Sequence, residues 1–394
     1  LVFLTLGLSA IGLGYYAKKH INNFEQSTIE TNLDDRDSQP EELDWDDVDL
    51  VDLIGLDIGY GLIPLVNTET GGQLLSRVKG VRKKLSAELG FLVQPIRIRD
   101  NLDLDPEIYH IVINGVVRGT GNVKVGKDLA INPGHANSQL EGTPTKEPAF
   151  GLDALWIEPA QKDYARTLGY TVVDAATAIA THLNTILRNN SSELLSHDEA
   201  QQLLDKVANK SPKLVEDLVP TKLTLATITK TLQNILAEDI PLKDMRTIIE
   251  VLSSTSSTTQ DPEALTAEVR PRLGRMIVQN LVDIEQTLPV ITLDPTLEQM
   301  LHNVLQQSNS SQGLVIEPNL AEQLFQSLAE HTETIENQGN PAVLVVSPSI
   351  RPWLSKVVRN RIRDLTVLSY NEIPDDQPIK VVATVENKNQ NERK

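Results

Sequence analysis

The segment that most resembles a known chemical motif is Gly121–Asp128, with the sequence GNVKVGKD. It matches the GxxxxGK part of a phosphate-binding loop. Asp128, however, stands where such a loop needs a Ser or Thr hydroxyl to hold magnesium. Val123 and Val125 alternate with polar residues, which is the period of a β-strand. We therefore predict a hairpin strand here and no nucleotide site.

The other reactive residue types form no recognisable constellation. The sequence has no cysteine, which excludes disulfides, Cys-ligated zinc and thiol catalysis. It also has no HExxH, nucleophile elbow or dinucleotide fingerprint. Acidic pairs are numerous, as any acidic chain produces by chance. The histidines lack metal-ligand spacing: His20, His110, His135, His182, His197, His302 and His331. We predict no catalytic residue, no metal and no cofactor, and hence a protein that is not an enzyme.

Length and charge bound the remaining functions. The 394 residues exceed one ordinary core, so two to four domains or subdomains are expected. The 36 basic and 54 acidic residues give a net charge of −18. Such a charge disfavours nucleic acid and anionic lipid surfaces as partners.

The first residues predict a membrane anchor. Leu1–Tyr16 is uncharged and almost wholly apolar, and Lys18 and Lys19 follow it. We interpret this run as the end of a transmembrane helix, with the following chain on the cytoplasmic side. The alternative is a buried N-terminal helix.

Residues 17–50 predict an acidic linker. Between Glu25 and Asp57 there are thirteen acidic residues and one basic residue, Arg36. Like charges repel and keep such a segment extended. Trp45, flanked by Asp44, Asp46 and Asp47, is an exception, and we expect this short motif to dock on a neighbouring surface or subunit. A basic helix face is one candidate surface, although it could also be merely solvated: Arg77, Lys79, Arg82, Lys83 and Lys84.

Hydrophobic periodicity predicts several separate folded regions. A helix is expected at Gly72–Leu89 and a hairpin at Asn114–Gly115. After a loop at Thr143–Ala149, a strand–helix–strand unit leads into a helix over Asp174–Leu187. That helix has an apolar face and a polar stripe with Thr181 at its centre and His182 beside it. Further helices run from Ser196 to Gln279, and alternating strands and helices from Val290 to Val385. The class is α+β or α/β with several subdomains.

Several long segments resemble the cytoplasmic half of the type III secretion export-gate (FHIPEP) family. They are VDLIGLDIGYGLIPLV, LGFLVQPIRIRDN, GTPTKEPAFGLDALWI, GYTVVDAATAIATHLN and LVPTKLTLATITKTLQNILAEDIPLKDMRTIIEVL. The resemblance covers nearly the whole chain from about Leu4. The AFGLDALWI and ATHLN versions resemble the flagellar members more than the virulence-system members.

The resemblance implies a division of the chain into subdomains. A thioredoxin-like subdomain would be split around an inserted ferredoxin-like one, and a helical and a small α/β subdomain would follow. The implied ranges are 1–16 for the transmembrane end, 17–50 for the linker, 51–124 with 175–194 for the first subdomain, 125–174 for the second, 195–275 for the third, 276–387 for the fourth and 388–394 for the tail.

The resemblance also implies a function. Such proteins form rings, typically of nine subunits, at the bacterial inner membrane, where they receive flagellar export chaperones and their substrates for export driven by the proton gradient. Other flagellar export-apparatus proteins are implied as further partners. By position in the matched motif, Glu147, Phe150 and Thr181 would line the chaperone groove. Family members commonly carry Asp where this chain has Glu147, which leaves the docking geometry there open. From the residues alone, Phe150 is better explained as packed under its own loop. The alternative functions are a virulence type III export gate and a membrane-anchored sensor or effector enzyme.

Overall fold

A computed structural model describes residues 52–67, 71–134, 140–283, 285–307, 317–362 and 364–386. The predicted transmembrane end, the linker with Asp44, Trp45, Asp46 and Asp47, and the tail lie outside these residues. Among the described helices, none combines the length and the apolar character needed to cross a membrane. The described residues belong to one compact unit, so their sheets and helices can be described together.

The first sheet has four strands in the order β2–β1–β3–β4. β1 (Ile54–Ile58) pairs in parallel with β2 (Arg97–Asp100) and antiparallel with β3 (Ile108–Ile113), which continues into β4 (Val116–Asn122). Two helices precede β2: the short α1 (Ile63–Val66) and the long α2 (Leu74–Leu89). Asn114 and Gly115 both have positive φ, at 50° and 77°, as the predicted tight hairpin requires.

The second sheet is fully antiparallel, in the order β6–β7–β5–β8. Its strands are β5 (Asp128–Ile131), β6 (Thr143–Lys146), β7 (Asp153–Ile157) and β8 (Thr171–Asp174). A short helix, α3 (Lys162–Thr167), precedes β8. This strand order is that of a ferredoxin-like sheet. Among the described residues between β5 and β6 there is no helix.

Helix α4 (Ala175–Asn189) returns from the second sheet to the first. Asp174 begins it, because its carboxylate accepts the N–H of Thr177 at 2.8 Å. One face of the second sheet, with Leu129 and Trp156, joins the large core beneath α4. The opposite face, with Ala130 and Ile157, forms a small separate core against Ala165 of α3. Period-two alternation along the strands therefore distributes side chains between two cores.

A helical bundle follows, as the spacing predicts. Its helices are α5 (His197–Ala208), α6 (Pro212–Glu216), α7 (Leu225–Ala237), α8 (Met245–Thr255) and α9 (Pro262–Gln279). A capping box begins α5: Glu199 accepts the N–H of Ser196 at 2.9 Å while the Ser196 hydroxyl accepts the N–H of Asp198 in the first turn.

The third sheet is fully parallel, in the order β11–β10–β9–β12. Its strands are β9 (Leu288–Leu293), β10 (Ala342–Val346), β11 (Leu365–Ser369) and β12 (Ile379–Val385), and its helices are α10 (Pro295–Gln307), α11 (Pro318–Glu336) and α12 (Arg351–Arg359). Val343 and Val345 face the large core, whereas Leu344 and Val346 face the helices. Both faces are thus covered, which explains why β10 is apolar throughout. Residues 308–316, within the region predicted to alternate strands and helices, lie outside the described residues.

The structure confirms the mixed α/β class but corrects three details. Residues 143–146, expected to be a loop, form the edge strand β6. The segment 121–128 is not one hairpin strand, because it contains the end of β4, a turn and the start of β5. A phosphate-binding loop requires a helix directly after its glycine–lysine pair, but strand β5 follows the pair here. Finally, His182 is buried and does not lie on an open polar stripe.

Candidate functional site

Phe150 lies at the tip of a short loop between β6 and β7. Its side chain is 68% exposed, although large aromatic side chains are usually buried. The loop residue Gly151 has φ of +71°, a conformation that favours glycine. Leu152, the next residue, is also exposed. The expectation from the residues alone, that Phe150 packs under its own loop, is therefore wrong.

Glu147 is buried beneath the same loop, with 3% of its surface exposed. Its two carboxylate oxygens accept the backbone N–H groups of Ala149 at 2.9 Å and of Phe150 at 2.7 Å. Its carboxylate is thus engaged within the loop. The expectation that Glu147 lines an open groove is not met, because burial leaves its side chain no surface to offer.

Thr181 lies on α4 and is half-buried. Helix α4 packs against α2 and against strands of both of the first two sheets. On its polar side, the Thr177 hydroxyl donates to Asp174 at 3.0 Å. Thr181 keeps partial access, while its neighbour His182 has none. Of the three residues predicted to line the chaperone groove, Phe150 is therefore exposed and Thr181 is partly accessible to a partner.

A buried polar pair joins α4 to the first sheet. The Tyr109 hydroxyl and His182 Nδ1 are 2.8 Å apart, and the two rings meet edge to face. Glycines at positions 119 and 121 of β4 leave room for these rings. A Cβ at Gly121 would lie 2.4 Å from Tyr109 Oη, and one at Gly119 would lie 3.1 Å from the His182 ring.

The Glu147 carboxylate acts electrostatically on both Tyr109 and His182. Burial raises the pKa of the Tyr109 hydroxyl far above its ordinary value, and the nearby Glu147 charge raises it further. Burial lowers the pKa of the His182 imidazole, and Glu147 opposes that shift. Sequence reasoning missed Tyr109 as a partner of His182. The signal that could have indicated it is the pair of glycines two residues apart on β4.

A second feature is a groove between the end of α2 and the helical bundle. A cavity of about 510 Å³ and a neighbouring one of about 230 Å³ share Gly90, Leu203, Lys206 and Lys243. Leu92, which is 60% exposed, adds an apolar wall. The two cavities are lined by two acidic residues, Glu199 and Asp244, and by four basic ones: Lys206, Lys210, Lys243 and Arg246. In a chain of charge −18, this groove is locally positive.

The basic face of α2 is partly committed to internal contacts. Arg77 binds Asp174 at 2.7 Å, and Arg82 Nε donates to the carbonyl of Val93 at 2.7 Å. Lys79 and Lys83 remain exposed. In the part of the chain that the structure describes, no group of three or more His, Cys, Asp or Glu residues is arranged to hold a metal ion.

Comparison with known proteins places these features in a family. The FHIPEP family matches residues 1–378. The chain is 42% identical over 385 residues to the flagellar biosynthesis protein FlhA of Salmonella typhimurium, covering 98% of this chain and 55% of that protein. It is 35% identical over 378 residues to FlhA of Helicobacter pylori, covering 95% and 51% respectively. The chain therefore spans about half the length of the curated relatives it matches.

Solved structures share the fold. The Chlamydia pneumoniae CdsV protein has a TM-score of 0.75 at 24% identity, covering 86% of this chain and 99% of that one. The nonameric SctV-C of EPEC has a TM-score of 0.67 at 21% identity, covering 85% and 98%. At these identities the likeness shows the architecture alone. Taken with the family match over nearly the whole chain and the 42% identity to an FlhA protein, it shows that this chain belongs to the FHIPEP family.

Proposed function

We propose that this chain is the cytoplasmic part of a flagellar type III export gate and acts as a docking platform, not as an enzyme. Flagellar export chaperones carrying their substrates would bind at Phe150 and Thr181. The remaining part of a full-length protein would lie in the bacterial inner membrane and couple export to the proton gradient. The flagellar relatives support the flagellar system over a virulence system.

One observation carries the docking proposal. Phe150 is 68% exposed on a loop whose backbone is held by hydrogen bonds, so its direction is defined before a partner arrives. Rigid, exposed aromatic side chains are frequent hot spots of protein interfaces, and removing one costs about 1–3 kcal/mol of binding free energy. The alternative of a sensor or effector enzyme would instead need a pocket where several reactive side chains converge.

Phe150→Ala tests the proposal directly. We expect it to weaken binding of a filament chaperone–substrate complex about tenfold or more, as measured by isothermal titration calorimetry with the 394-residue chain. Leu102→Ala is the matched control, because Leu102 is 78% exposed on a loop of the first sheet. Equal affinity of the wild type and the Phe150→Ala variant would refute the proposed site.

Ring assembly is the second part of the proposal. Two of the structural neighbours are described as nonameric, and a third is a complex of CdsV with the protein CdsO. We infer that this chain also forms a homo-oligomeric ring. The motif of Trp45 with Asp44, Asp46 and Asp47 would contact the basic groove of a neighbouring subunit. Charge complementarity and the exposed Leu92 beside the lysines support this contact.

Charge reversal tests the linker contact. Changing Asp44, Asp46 and Asp47 to Lys should reduce the particle size measured by light scattering, because like charges would then meet at the groove. The same change at Asp34, Asp35 and Asp37 is the matched control. Adding Lys206→Glu and Lys243→Glu should restore assembly. Unchanged particle size in the first variant would contradict the contact.

A further inference from the structure

The loop between β6 and β7 is held almost entirely by one residue. The Glu147 carboxylate accepts the N–H groups of Ala149 and Phe150 with separate oxygens. The Glu147 backbone N–H donates to the carbonyl of Leu152 at 2.8 Å, and its carbonyl accepts from Gly151 at 2.9 Å. Every residue from 149 to 152 is therefore tied to Glu147 by one hydrogen bond.

The direction of the Phe150 side chain depends on this loop backbone. A side chain that is 68% exposed has few packing contacts that could orient it. Its Cα–Cβ direction is instead fixed by the backbone at Phe150, whose N–H is bound to Glu147 Oε2 at 2.7 Å. A carboxylate that accepts backbone N–H groups forms strong, charge-assisted hydrogen bonds.

Glu147 cannot itself reach a partner in this arrangement. Only 3% of its surface is exposed, and each of its carboxylate oxygens already accepts a hydrogen bond. The rings of Tyr109 and His182 are also buried, and the Glu147 charge acts on both. Loss of a hydrogen bond to this buried carboxylate would therefore alter the loop that it holds.

We propose that Glu147 is a positioning residue: its carboxylate fixes the direction in which Phe150 meets a protein partner, without contacting that partner. This inference rests on the proposed function of Phe150. Positioning also explains why either Glu or Asp would serve at position 147. The shorter side chain of Asp can accept the same two backbone N–H groups, at positions i+2 and i+3. The longer side chain of Glu147 stays buried beneath the loop and does not extend to the surface at Phe150.

A double-mutant cycle separates positioning from direct contact. Glu147→Gln keeps the shape but can accept only one of the two N–H groups, since its amide nitrogen is a donor. We expect it to weaken binding of a filament chaperone–substrate complex to the 394-residue chain about tenfold. In a Phe150→Ala background the same substitution should have no further effect, because nothing remains to be positioned. Glu147→Asp should restore binding to within about twofold of wild type.

The possible outcomes distinguish the inference from the function on which it rests. If Phe150→Ala weakens binding and Glu147→Gln does not, positioning by Glu147 is overturned while the docking site stands. If the two effects are additive, Glu147 contacts the partner itself and the inference is again overturned. If Phe150→Ala binds like wild type, the proposed function fails and the inference fails with it. Amide hydrogen exchange should be faster at Ala149 and Phe150 in the Glu147→Gln variant, and unchanged exchange there would also contradict the proposal.

Discussion

Glu147 and Glu372 are both buried, and their carboxylates are satisfied in opposite ways. In the loop between β6 and β7, Glu147 is satisfied by backbone N–H groups two and three residues away. Where α9 meets the third sheet, Glu372 is satisfied by the guanidinium of Arg270, 102 residues distant in sequence. The local arrangement shapes one loop, whereas the distant one fixes whole elements against each other.

The distant arrangement contains four charges. Arg270 binds both oxygens of Glu372, at 3.1 and 2.6 Å, and also binds Glu238 at the end of α7. Arg351 of α12 contacts both glutamates. Two positive and two negative groups balance, so the cluster buries little net charge. It connects the helical bundle with α12 and with the turn after β11, and we therefore expect it to set how the third sheet sits on the bundle.

The largest effect is expected from breaking this cluster. Glu372→Ala leaves Arg270 buried and short of a partner, which typically costs about 3–5 kcal/mol of unfolding free energy. Chemical denaturation of wild type and variant measures the difference. Arg275→Ala is a control, because Arg275 pairs with Asp376 on the surface, where water screens the attraction and an ion pair contributes little to stability. If both variants lost the same unfolding free energy, the buried cluster would contribute no more to stability than the surface pair, contrary to this prediction.

A smaller effect is expected at the local glutamate. Glu147→Ala leaves two backbone N–H groups without their acceptor, at a cost of about 1–3 kcal/mol. Because all the bonds of this carboxylate lie within one loop, hydrogen exchange should increase in the second sheet and not in the third. Exchange that increases in both sheets would show that the loop is coupled to the distant cluster and that Glu147 does not act locally.

The smallest effect is a dependence on pH near the Phe150 loop. Burial lowers the pKa of His182 below its ordinary value of 6.5 in the folded protein. The folded state therefore takes up its proton less readily than the unfolded state. Stability attributable to His182 is complete above about pH 6.5 and decreases as the pH falls toward the folded pKa. Thermal melts at pH 7.5 and 5.5 should show a larger drop for wild type than for His182→Asn. An equal drop in both would contradict this assignment.

The same contrast explains what could be predicted from the sequence. Local signals are sufficient for the hairpin at Asn114–Gly115 and for the long helices, because their causes lie within a few residues. Strand β6 was missed because Pro144 and polar, mostly exposed side chains resemble a loop, and only pairing with β7 makes it a strand. The pairing of Arg270 with Glu372 has no local signature.

The candidate site divides in the same way. The exposure of Phe150 depends on how β6 and β7 close around Glu147, which a helical or strand period does not encode. Helix α4 shows the complementary error. Its sequence has a polar stripe on which Thr181 keeps partial access, but α2 and strands of the first and second sheets pack against the helix, and His182 beside the stripe is buried. Amphipathic patterns describe an isolated helix and fail where two surfaces enclose it.

The parallel third sheet has a consequence for how this protein is made. β9, its earliest strand in sequence, lies between β10 and β12, and β12 is the latest. During synthesis on the ribosome, β9 keeps one edge unpaired until residues 379–385 have emerged. An unpaired apolar strand edge invites association with other chains. Premature termination before Ile379 would therefore yield an aggregation-prone product even though most of the third sheet's helices and strands had been translated.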